Sequence, residues 1–386
     1  MKKKRQGKSK NFTHAPVPLS GTVRGSAPRN PENKGAAGVN PRGFTTGFDV
    51  ITLGTATLDV VMHVVASLHR VVKIIASGDM QCFPLGSKVE VQSSNMHIGP
   101  GGGATNAAVT FSRQGFKTAC IAEVGKDIFG ALIVEHMRKE KIQPFFSVNT
   151  QLPTALSMVV VHREGERTVF VHRGASANLS YSEIPFADIE AKWVYCAPGG
   201  MPHRMVDRAL EHFHRNGSRV ALNPSKRQLK LGIKKLKPLL DMVDVLVLNQ
   251  EEASYLTGIS QENEQKIFKT LDKAVKGIVV MTRGPKGLAV SDGKHVWTAG
   301  IYKNKRIMDR LGAGDALGSG FVAGLMRSRM VGAPFSDAAI KRAIRLGSAN
   351  ATSEVEQLGT QTGILTQKQF ETQARWGKLK ITRTDA

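Results

Sequence analysis

At residues 309–321 the sequence reads DRLGAGDALGSGF, and a helix-forming pattern follows it. Gly312 and Gly314 allow tight backbone turns and the close approach of a ligand to the main chain. The first amide groups of a helix carry partial positive charge, so they can bind an anion such as a phosphoryl group. Asp315 lies in the same turn, where a carboxylate can take the proton of an attacking hydroxyl. The pattern indicates a phosphoryl-binding turn, formed by Gly312, Ala313 and Gly314, with Asp315 as its base.

Two other interpretations of this stretch stay open on its residues alone. The spacing of Gly312, Gly314 and Gly318 resembles a dinucleotide-binding fingerprint, but no clear apolar strand ends just before it and it lies near the C-terminus. Alternatively, the stretch is a glycine-rich turn in which Asp315 caps a helix. A P-loop enzyme is disfavoured, because the chain has no Walker A sequence that ends in Gly-Lys-Ser/Thr.

From Phe48 onward, short apolar stretches alternate with helical patterns. The predicted strands are residues 49–54, 118–124, 219–222, 244–248 and 277–281. The predicted helices are residues 105–114, 128–141, 205–215 and 339–354. This alternation is typical of a mostly parallel sheet with helices on both faces, a Rossmann-like three-layer α/β sandwich. Ligands of such sheets bind beyond the carboxyl ends of the strands.

Two valine-rich regions interrupt this rhythm, at residues 88–98 and 155–173. In the second, Glu164-Gly165-Glu166 separates two apolar runs, which is a hairpin signal. We expect a small β-lid formed from parts of 60–100 and 155–173. Periodicity does not distinguish such a lid from edge strands of the main sheet.

Composition divides the chain of 386 residues into a basic tail, a folded domain and a short end. Residues 1–45 are rich in Lys, Pro, Gly, Ser and Asn and lack apolar periodicity, so we expect a disordered tail. One domain should cover 46–375, with a C-terminal tail at 376–386. The formal net charge of +23 allows weak binding of polyanions by the basic tail. Solubility, or a cell whose proteins are generally basic, is the favoured interpretation, because no pattern of stacking aromatic residues accompanies the charge.

Cysteine usage and hydropathy predict the compartment. Cys82, Cys120 and Cys196 are an odd number and widely spaced, which favours buried thiols in a reducing compartment. No stretch is long and apolar enough to span a bilayer, and no apolar segment follows the basic N-terminus as in a secretory signal. We therefore expect a cytoplasmic protein without a membrane partner.

Two motifs about two hundred residues apart resemble the signatures of the ribokinase-like (PfkB) carbohydrate kinase family. The C-terminal one is DRLGAGD at 309–315. The N-terminal one is GGGATN at 101–106, followed by Gly115 and by VGKDIFG at 124–130. The resemblance runs from about residue 48 to 365, nearly all of the expected domain. Two signatures in the right order are more specific than either one alone.

The resemblance implies a kinase that transfers a phosphate from ATP, with Mg²⁺ and room for a monovalent cation, to a hydroxyl of a small substrate. It implies that Asp315 deprotonates the hydroxyl while the amides of 312–315 stabilise the phosphate. The positions assigned to substrate binding are Asp59, Gly101, Gly102, Gly103 and Asn106. Arg173, at the end of the second lid segment, is a candidate for contact with an anionic group of the substrate or is a solvated arginine.

The resemblance also assigns the metal and nucleotide positions. Asn249 and Glu252 match the family's Asn-x-x-Glu motif and would hold Mg²⁺ through water, which is compatible with a helix-capping box. Thr282, Gly284 and Gly287 resemble the loop on the nucleotide side, and Asn350 resembles a position that lines the adenine pocket. Each of these has a plain structural alternative, such as a turn or a cap.

Two departures from the family pattern concern the substrate side. Leu311 replaces the Thr that commonly precedes the Gly-Ala-Gly run, and the segment between Asp59 and Gly101 is longer than in compact members.

The sequence does not identify the acceptor. A pentose or hexose is the first hypothesis and a nucleoside the second, while a sugar acid or phosphosugar rests on Arg173 alone. A nucleic-acid-binding protein on a kinase scaffold is the alternative from another class. We also expect a homodimer formed through the lid.

Overall fold

The computed structural model describes residues 47–63, 70–74, 78–83, 85–88, 90–161, 167–328 and 335–386. The predicted disordered tail at 1–45 lies outside the described residues, as does part of the long segment after Asp59.

The strands and helices follow one another as the alternating pattern predicts. The strands are β1 (Gly47–Gly54), β2 (Thr57–His63), β3 (Arg70–Ile74), β4 (Gly78–Cys82), β5 (Met96–Gly101), β6 (Thr118–Gly125), β7 (Gln143–Asn149), β8 (Ala155–Val161), β9 (Arg167–His172), β10 (Glu190–Ala197), β11 (Arg219–Leu222), β12 (Val245–Asn249), β13 (Ile278–Thr282), β14 (Leu288–Ser291), β15 (His295–Ala299) and β16 (Ile381–Asp385). The helices are α1 (Gly103–Arg113), α2 (Ile128–Lys139), α3 (His203–Arg215), α4 (Lys226–Leu229), α5 (Gly232–Leu240), α6 (Gln250–Thr257), α7 (Glu264–Ala274), α8 (Ala313–Met326), α9 (Asp337–Glu354) and α10 (Gln367–Thr372).

In the described part of the chain, the main sheet has ten strands in the order β16-β15-β14-β13-β12-β11-β10-β1-β6-β7. The seven strands β7, β6, β1, β10, β11, β12 and β13, in this spatial order, are parallel to their neighbours. Strands β14, β15 and β16 continue the sheet with antiparallel pairing. One apolar cluster packs α3, α5, α6 and α7 on one face, and another packs α1, α8 and α9 on the opposite face. The predicted three-layer α/β sandwich is confirmed.

The C-terminal end differs from the expectation. We predicted a tail at 376–386, but Ile381–Asp385 forms the edge strand β16, whose Ile381 pairs with Ala299 of β15. Its β-branched residues favour an extended chain, and the edge of β15 offers unpaired backbone groups. The boundary of the domain therefore lies beyond the predicted one.

The valine-rich regions form a separate sheet beside the main one, in the order β5-β2-β8-β9. We call these four strands the lid. Strands β8 and β9 pair antiparallel as the hairpin pattern predicts, whereas β2 and β8 run parallel. The long segment after Asp59 contributes the hairpin of β3 and β4. Among the described helices, none combines the length and apolar character that crossing a membrane requires.

Candidate active site

The two glycines that open α8 have different roles. Gly312 is the N-cap with a left-handed φ of 77°, and a Cβ there would lie 3.0 Å from Cβ of Thr360. Gly314 lies within the first helical turn, and a Cβ there would meet no heavy atom within 4 Å. Gly312 therefore sets the turn, while Gly314 leaves open space beside the first amides of the helix. These amides have no partner within the helix and suit an anion.

Asp315 is oriented by a network that reaches it from α1. Its Oδ2 accepts a hydrogen bond of 2.9 Å from Nδ2 of Asn106. The Oδ1 of Asn106 in turn accepts from Thr360 Oγ1 at 3.0 Å and from Gln361 Nε2 at 2.9 Å. Burial raises the pKa of the Asp315 carboxyl, and the Asn106 hydrogen bond opposes this. Asn106, predicted to bind substrate, instead holds the candidate base.

Asp59 lies in β2 of the lid with 5% of its surface exposed. Its Oδ1 accepts a hydrogen bond of 2.9 Å from Oγ1 of Thr57. Burial, with further contributions from the charges of Asp315 and Asp309, raises the pKa of Asp59 to about 6. The carboxyl of Asp59 lies against Gly101, and Asn106, five residues further on in α1, bonds Asp315, so both carboxyls lie near the start of α1.

The glycines at 101–103 serve packing. A Cβ at Gly101 would lie 1.8 Å from Oδ2 of Asp59, so only glycine lets that carboxyl lie against the strand. Gly102 has a φ of 100°, and a Cβ at Gly103 would lie 2.6 Å from Cβ of Ala197. The three residues predicted to bind substrate thus allow the start of α1 to approach its neighbours.

A cavity of about 350 Å³ opens beside the start of α8. Thr282, Gly284 and Gly287, the three residues of the predicted nucleotide loop, line it together with Ala313 and Gly314. Its apolar wall consists of Pro285, Leu288, Ile301, Ile307, Leu317 and Val355. An apolar wall with few polar groups is the usual lining of a site for a base or a small molecule.

Asn350 does not line this cavity, contrary to our prediction. It is fully buried, and its Oδ1 accepts a hydrogen bond of 3.0 Å from the backbone amide of Leu365. Ser348 and Thr352 line the cavity instead, because residues two apart on a helix point to opposite sides. The Ser348 hydroxyl is buried and has no hydrogen-bond partner within the described residues. Sequence reasoning missed Ser348, and its spacing from Asn350 was the available signal.

A comparison with known families shows which family the chain belongs to. A family model described as pfkB family carbohydrate kinase matches residues 71–367. The chain belongs to the PfkB family. As predicted, it is a phosphotransferase with an alcohol group as acceptor, and its fold is ribokinase-like.

Three similar proteins illustrate the range of this PfkB kinase's relatives. A ribokinase from Haemophilus influenzae is 28% identical over 284 residues, which cover 71% of this chain and 87% of the relative. A cytidine kinase from Thermococcus kodakarensis is 25% identical over 290 residues, which cover 73% and 94%. The solved structure of Arabidopsis thaliana ribokinase complexed with ribose and ATP has a TM-score of 0.64 at 18% identity, with 86% and 99% covered.

Asn249 and Glu252 of the PfkB kinase form a reciprocal capping box at the start of α6. Oδ1 of Asn249 accepts from the Glu252 amide at 2.7 Å, and Oε2 of Glu252 accepts from the Asn249 amide at 2.9 Å. The second Glu252 oxygen has no hydrogen bond to the described residues, so a contact through water is available to it. No group of three His, Cys, Asp or Glu side chains that could hold a metal occurs within the described ranges. One carboxylate fits Mg²⁺, which keeps several waters and takes further ligands from phosphates.

Arg173 lies beside the loop that follows β10. Its side chain is exposed and passes near Gly200 in the loop after β10, where a Cβ would lie 3.4 Å from Cδ of Arg173. It does not line the cavity beside α8. The structure therefore brings Gly314 and the loop of Thr282 to one cavity and joins Asn106 to Asp315, while Arg173 lies beside Gly200.

Leu311, the departure from the family pattern, contacts the lid. Its side chain packs with Leu358 against a cluster of three buried lid valines, Val61, Val159 and Val161. A leucine at this position adds apolar surface that a threonine would not offer. The change therefore joins the loop before α8 to the underside of the lid.

Proposed function

We propose that this PfkB kinase transfers the terminal phosphate of ATP to a hydroxyl of a small sugar, a pentose or a hexose. The observation that carries the proposal is the position of Asp315. Asn106 holds this carboxyl at the start of α8, beside Gly314 and the cavity, and Asp59 lies against Gly101, just before the helix that carries Asn106. A base between a donor cavity and a second carboxylate fits phosphoryl transfer to a hydroxyl.

In this proposal each group of the chain has one task. Asp59 accepts hydrogen bonds from acceptor hydroxyls and orients them. Asp315 takes the proton from the attacking hydroxyl, and its raised pKa brings it closer to the working pH of a base. The amides at the start of α8 stabilise the negative charge of the transferring phosphoryl group. The lid excludes water, which would otherwise compete as the acceptor.

The donor occupies the cavity beside α8. Its apolar wall suits a nucleotide base, and the Ser348 hydroxyl is free to bond a polar edge of that base. When bound, Mg²⁺ would neutralise charge on the donor phosphates, and Glu252 would hold it through water. Asp309 Oδ2 is buried and lacks a hydrogen-bond partner in the described part of the chain, which fits a monovalent cation as a further cofactor.

A nucleoside is the second candidate acceptor, since the cytidine kinase relative matches this chain over most of its own length. An anionic sugar is the third candidate, because it rests on Arg173 alone. Binding of nucleic acid by residues 1–45 would add to the kinase activity rather than replace it, since the base and the cavity are both formed. Salt-dependent retention on a polyanion column, lost when residues 1–45 are deleted, tests that alternative.

The experiment is a panel of pentoses, hexoses, sugar acids and nucleosides with ATP and Mg²⁺, in which formation of ADP is measured. We expect turnover with a free sugar well above the rate without acceptor. Turnover with nucleosides alone would select the second candidate, and turnover with none would overturn the proposal.

We also propose that the lid forms a homodimer. Its outward face carries a row of partly exposed apolar side chains from three strands, Ile98, Met158 and Phe170, with Met96 beside them. A contiguous apolar patch of this kind is typical of an interaction surface. Light scattering should give a dimer for the wild type and a monomer for Ile98→Lys with Met158→Lys. A wild-type monomer, or a dimer that survives both changes, would contradict the proposal.

A further inference from the structure

The hydrogen bonds that reach Asp315 continue through the loop between α9 and α10 to a histidine of α2. Asp315 Oδ2 accepts from Asn106 Nδ2, and Asn106 Oδ1 accepts from Gln361 Nε2, each at 2.9 Å. The carbonyl oxygen of the Gln361 side chain, Oε1, lies 2.9 Å from Nε2 of His136. Asn106 and Gln361 are 4% and 5% exposed, so water has little access to these bonds. We call Asp315, Asn106, Gln361 and His136 the hydrogen-bond chain.

The charge of Asp315 sets the direction of every bond in this chain. An ionised carboxylate only accepts hydrogen bonds, so Asn106 must turn its NH2 group toward Asp315 and its carbonyl oxygen toward Gln361. Gln361 must then turn its NH2 group toward Asn106 and its carbonyl oxygen toward His136. That oxygen also only accepts, so the His136 ring must carry its proton on Nε2. Reversing either amide would bring two acceptor oxygens together.

A second contact holds α2 to the same loop. Arg113 of α1 donates to the backbone carbonyls of Gln361 at 2.7 Å and of Ile364 at 3.0 Å. The same guanidinium binds both carboxylate oxygens of Glu140, the residue that ends α2, at 2.6 and 3.0 Å. His136 lies one turn before Glu140 and therefore faces the loop as well. Because Arg113 fixes the backbone of the loop, the freedom that remains in the chain is the orientation of its two amide side chains.

We propose that His136 is a positioning residue for the base, because its Nε2–H fixes the amide of Gln361, which in turn fixes Asn106 with its donor toward Asp315. This inference rests on the proposed function, in which Asp315 is the base. No proton travels along the chain, since the amide groups keep their N–H protons. Asn106 occupies Oδ2 of Asp315, which leaves Oδ1 for the proton of the acceptor hydroxyl.

The first test is steady-state kinetics of the full chain with ATP, Mg²⁺ and the acceptor found in the panel. We expect His136→Leu to lower kcat by about three- to tenfold, because the amides lose the donor that fixes them, and to leave KM for ATP within about twofold. Its melting temperature should stay near that of the wild type, because the ion pair of Arg113 and Glu140 is intact. His136→Gln supplies an NH2 group in place of the ring N–H and should restore most of the wild-type kcat.

Gln361→Glu is a sharper variant, since it keeps the shape of the side chain and removes its donor. A glutamate offers only oxygen atoms to Asn106, which then turns its NH2 group away from Asp315. We expect a larger fall in kcat than in His136→Leu, with KM for ATP again unchanged. His214→Leu is the matched control, because His214 is exposed on α3, which packs on the opposite face of the main sheet from α1 and α8. It should behave as the wild type.

A ¹⁵N NMR spectrum of the histidine rings tests the chain without turnover. Burial lowers the pKa of His136, so its ring is neutral at pH 8 and holds a single proton. We expect the Nε2–H tautomer for His136 in the wild type, and its signal is identified by its loss in His136→Gln.

The Nδ1–H tautomer in the wild type would overturn the inference. An unchanged kcat in folded His136→Leu or folded Gln361→Glu would also overturn it, as would equal losses in His136→Leu and His136→Gln. A wild type that phosphorylates no acceptor would overturn the proposed function, and the tautomer of His136 would then decide on the hydrogen-bond chain alone. An active wild type with unaffected variants would leave the proposed function standing.

Discussion

Asp315 is the residue that the proposed chemistry requires most directly. Asp315→Asn should lower kcat by ~10²–10⁴-fold, because an amide cannot take the proton of the acceptor. The helix amides that bind phosphate are unchanged, so the dissociation constant of ATP should stay within about twofold of the wild type. Steady-state kinetics and ATP titration on one preparation check both statements. A variant that keeps more than half of the wild-type kcat would show that another group is the base.

Asp59 should make acceptor binding depend on pH. With its pKa raised to about 6, Asp59 is ionised above that pH and protonated below it. The protonated acid is a weaker acceptor of hydroxyl hydrogen bonds, so KM for the acceptor should rise as the pH falls through about 6. KM for ATP should change little. Profiles of both KM values between pH 5 and pH 8 measure this.

The matched pair for this prediction is Asp59→Asn and Asp385→Asn. The first should raise acceptor KM at pH 8 and remove its rise below pH 6. The second changes an exposed carboxylate on β16 and should behave as the wild type. An acceptor KM that is unaffected by Asp59→Asn would leave this carboxylate with a structural role only.

At the scale of the element, the two glycines at the start of α8 have different roles, and Gly314 can be tested by itself. Gly314→Val should damage ATP binding and turnover together, because its side chain would enter the open space beside the phosphoryl-binding amides. Its backbone has no left-handed φ and valine has a higher helix propensity than glycine, so the fold should tolerate the change. ATP affinity, kcat and melting temperature are measured on the variant. Normal affinity and normal kcat in a folded protein would exclude phosphate from this turn.

Helix α9 gives a second test at this scale. The face with Ser348 lines the cavity, and the face with Asn350 forms buried hydrogen bonds within the protein. Ser348→Ala should raise KM for ATP by up to about tenfold and leave the melting temperature near the wild type, because it removes one hydroxyl from the cavity wall. Asn350→Ala should do the reverse and lower the melting temperature, because it leaves the buried Leu365 amide without an acceptor. Thermal unfolding and ATP kinetics of both variants distinguish the faces. A larger ATP effect for Asn350 would contradict the arrangement.

At the scale of the whole molecule, Glu354 links stability to pH. This residue of α9 is fully buried, and burial, with the nearby charges of Asp309 and Asp315, raises its pKa to about 8. Between its ordinary value of 4.5 and about 8, the folded protein keeps a proton that the unfolded chain has lost. This contribution therefore makes stability fall as the pH rises across that window, and it levels off above pH 8.

Glu354→Gln should remove this dependence. The amide oxygen still accepts the hydrogen bond from the Gly363 amide, and no charge forms in the core. The melting temperature of the variant relative to the wild type should rise between pH 5 and pH 8. Glu371→Gln, at the surface, serves as the control and should give a constant difference. A difference for Glu354→Gln that is independent of pH would contradict the buried ionisation.

The sequence by itself determined the fold class and predicted the turn on which the proposed function depends. Alternating apolar and helical patterns are local, so they predicted the parallel sheet and most of its strands. The Gly312–Asp315 turn is equally local. A helix start, glycines that let a ligand approach the main chain, and a carboxylate all lie within these four residues. The resemblance assigned Thr282, Gly284 and Gly287 to the nucleotide side, and in the structure they line one cavity together with Ala313 and Gly314.

Only the tertiary structure decided which polar groups face the ligand and which hold the protein together. Asn106 forms a hydrogen bond with Asp315, more than two hundred positions away, and Asn350 forms one with Leu365, which lies beyond the end of α9. No local sequence pattern contains these contacts. Ser348 reaches the cavity because of helix rotation. The strand at Ile381–Asp385 exists because β15 has a free edge. Each of these features depends on packing between segments that are distant in the chain. The free energy of such contacts depends on which residues become neighbours in the folded protein, not on the residues next to them in the sequence.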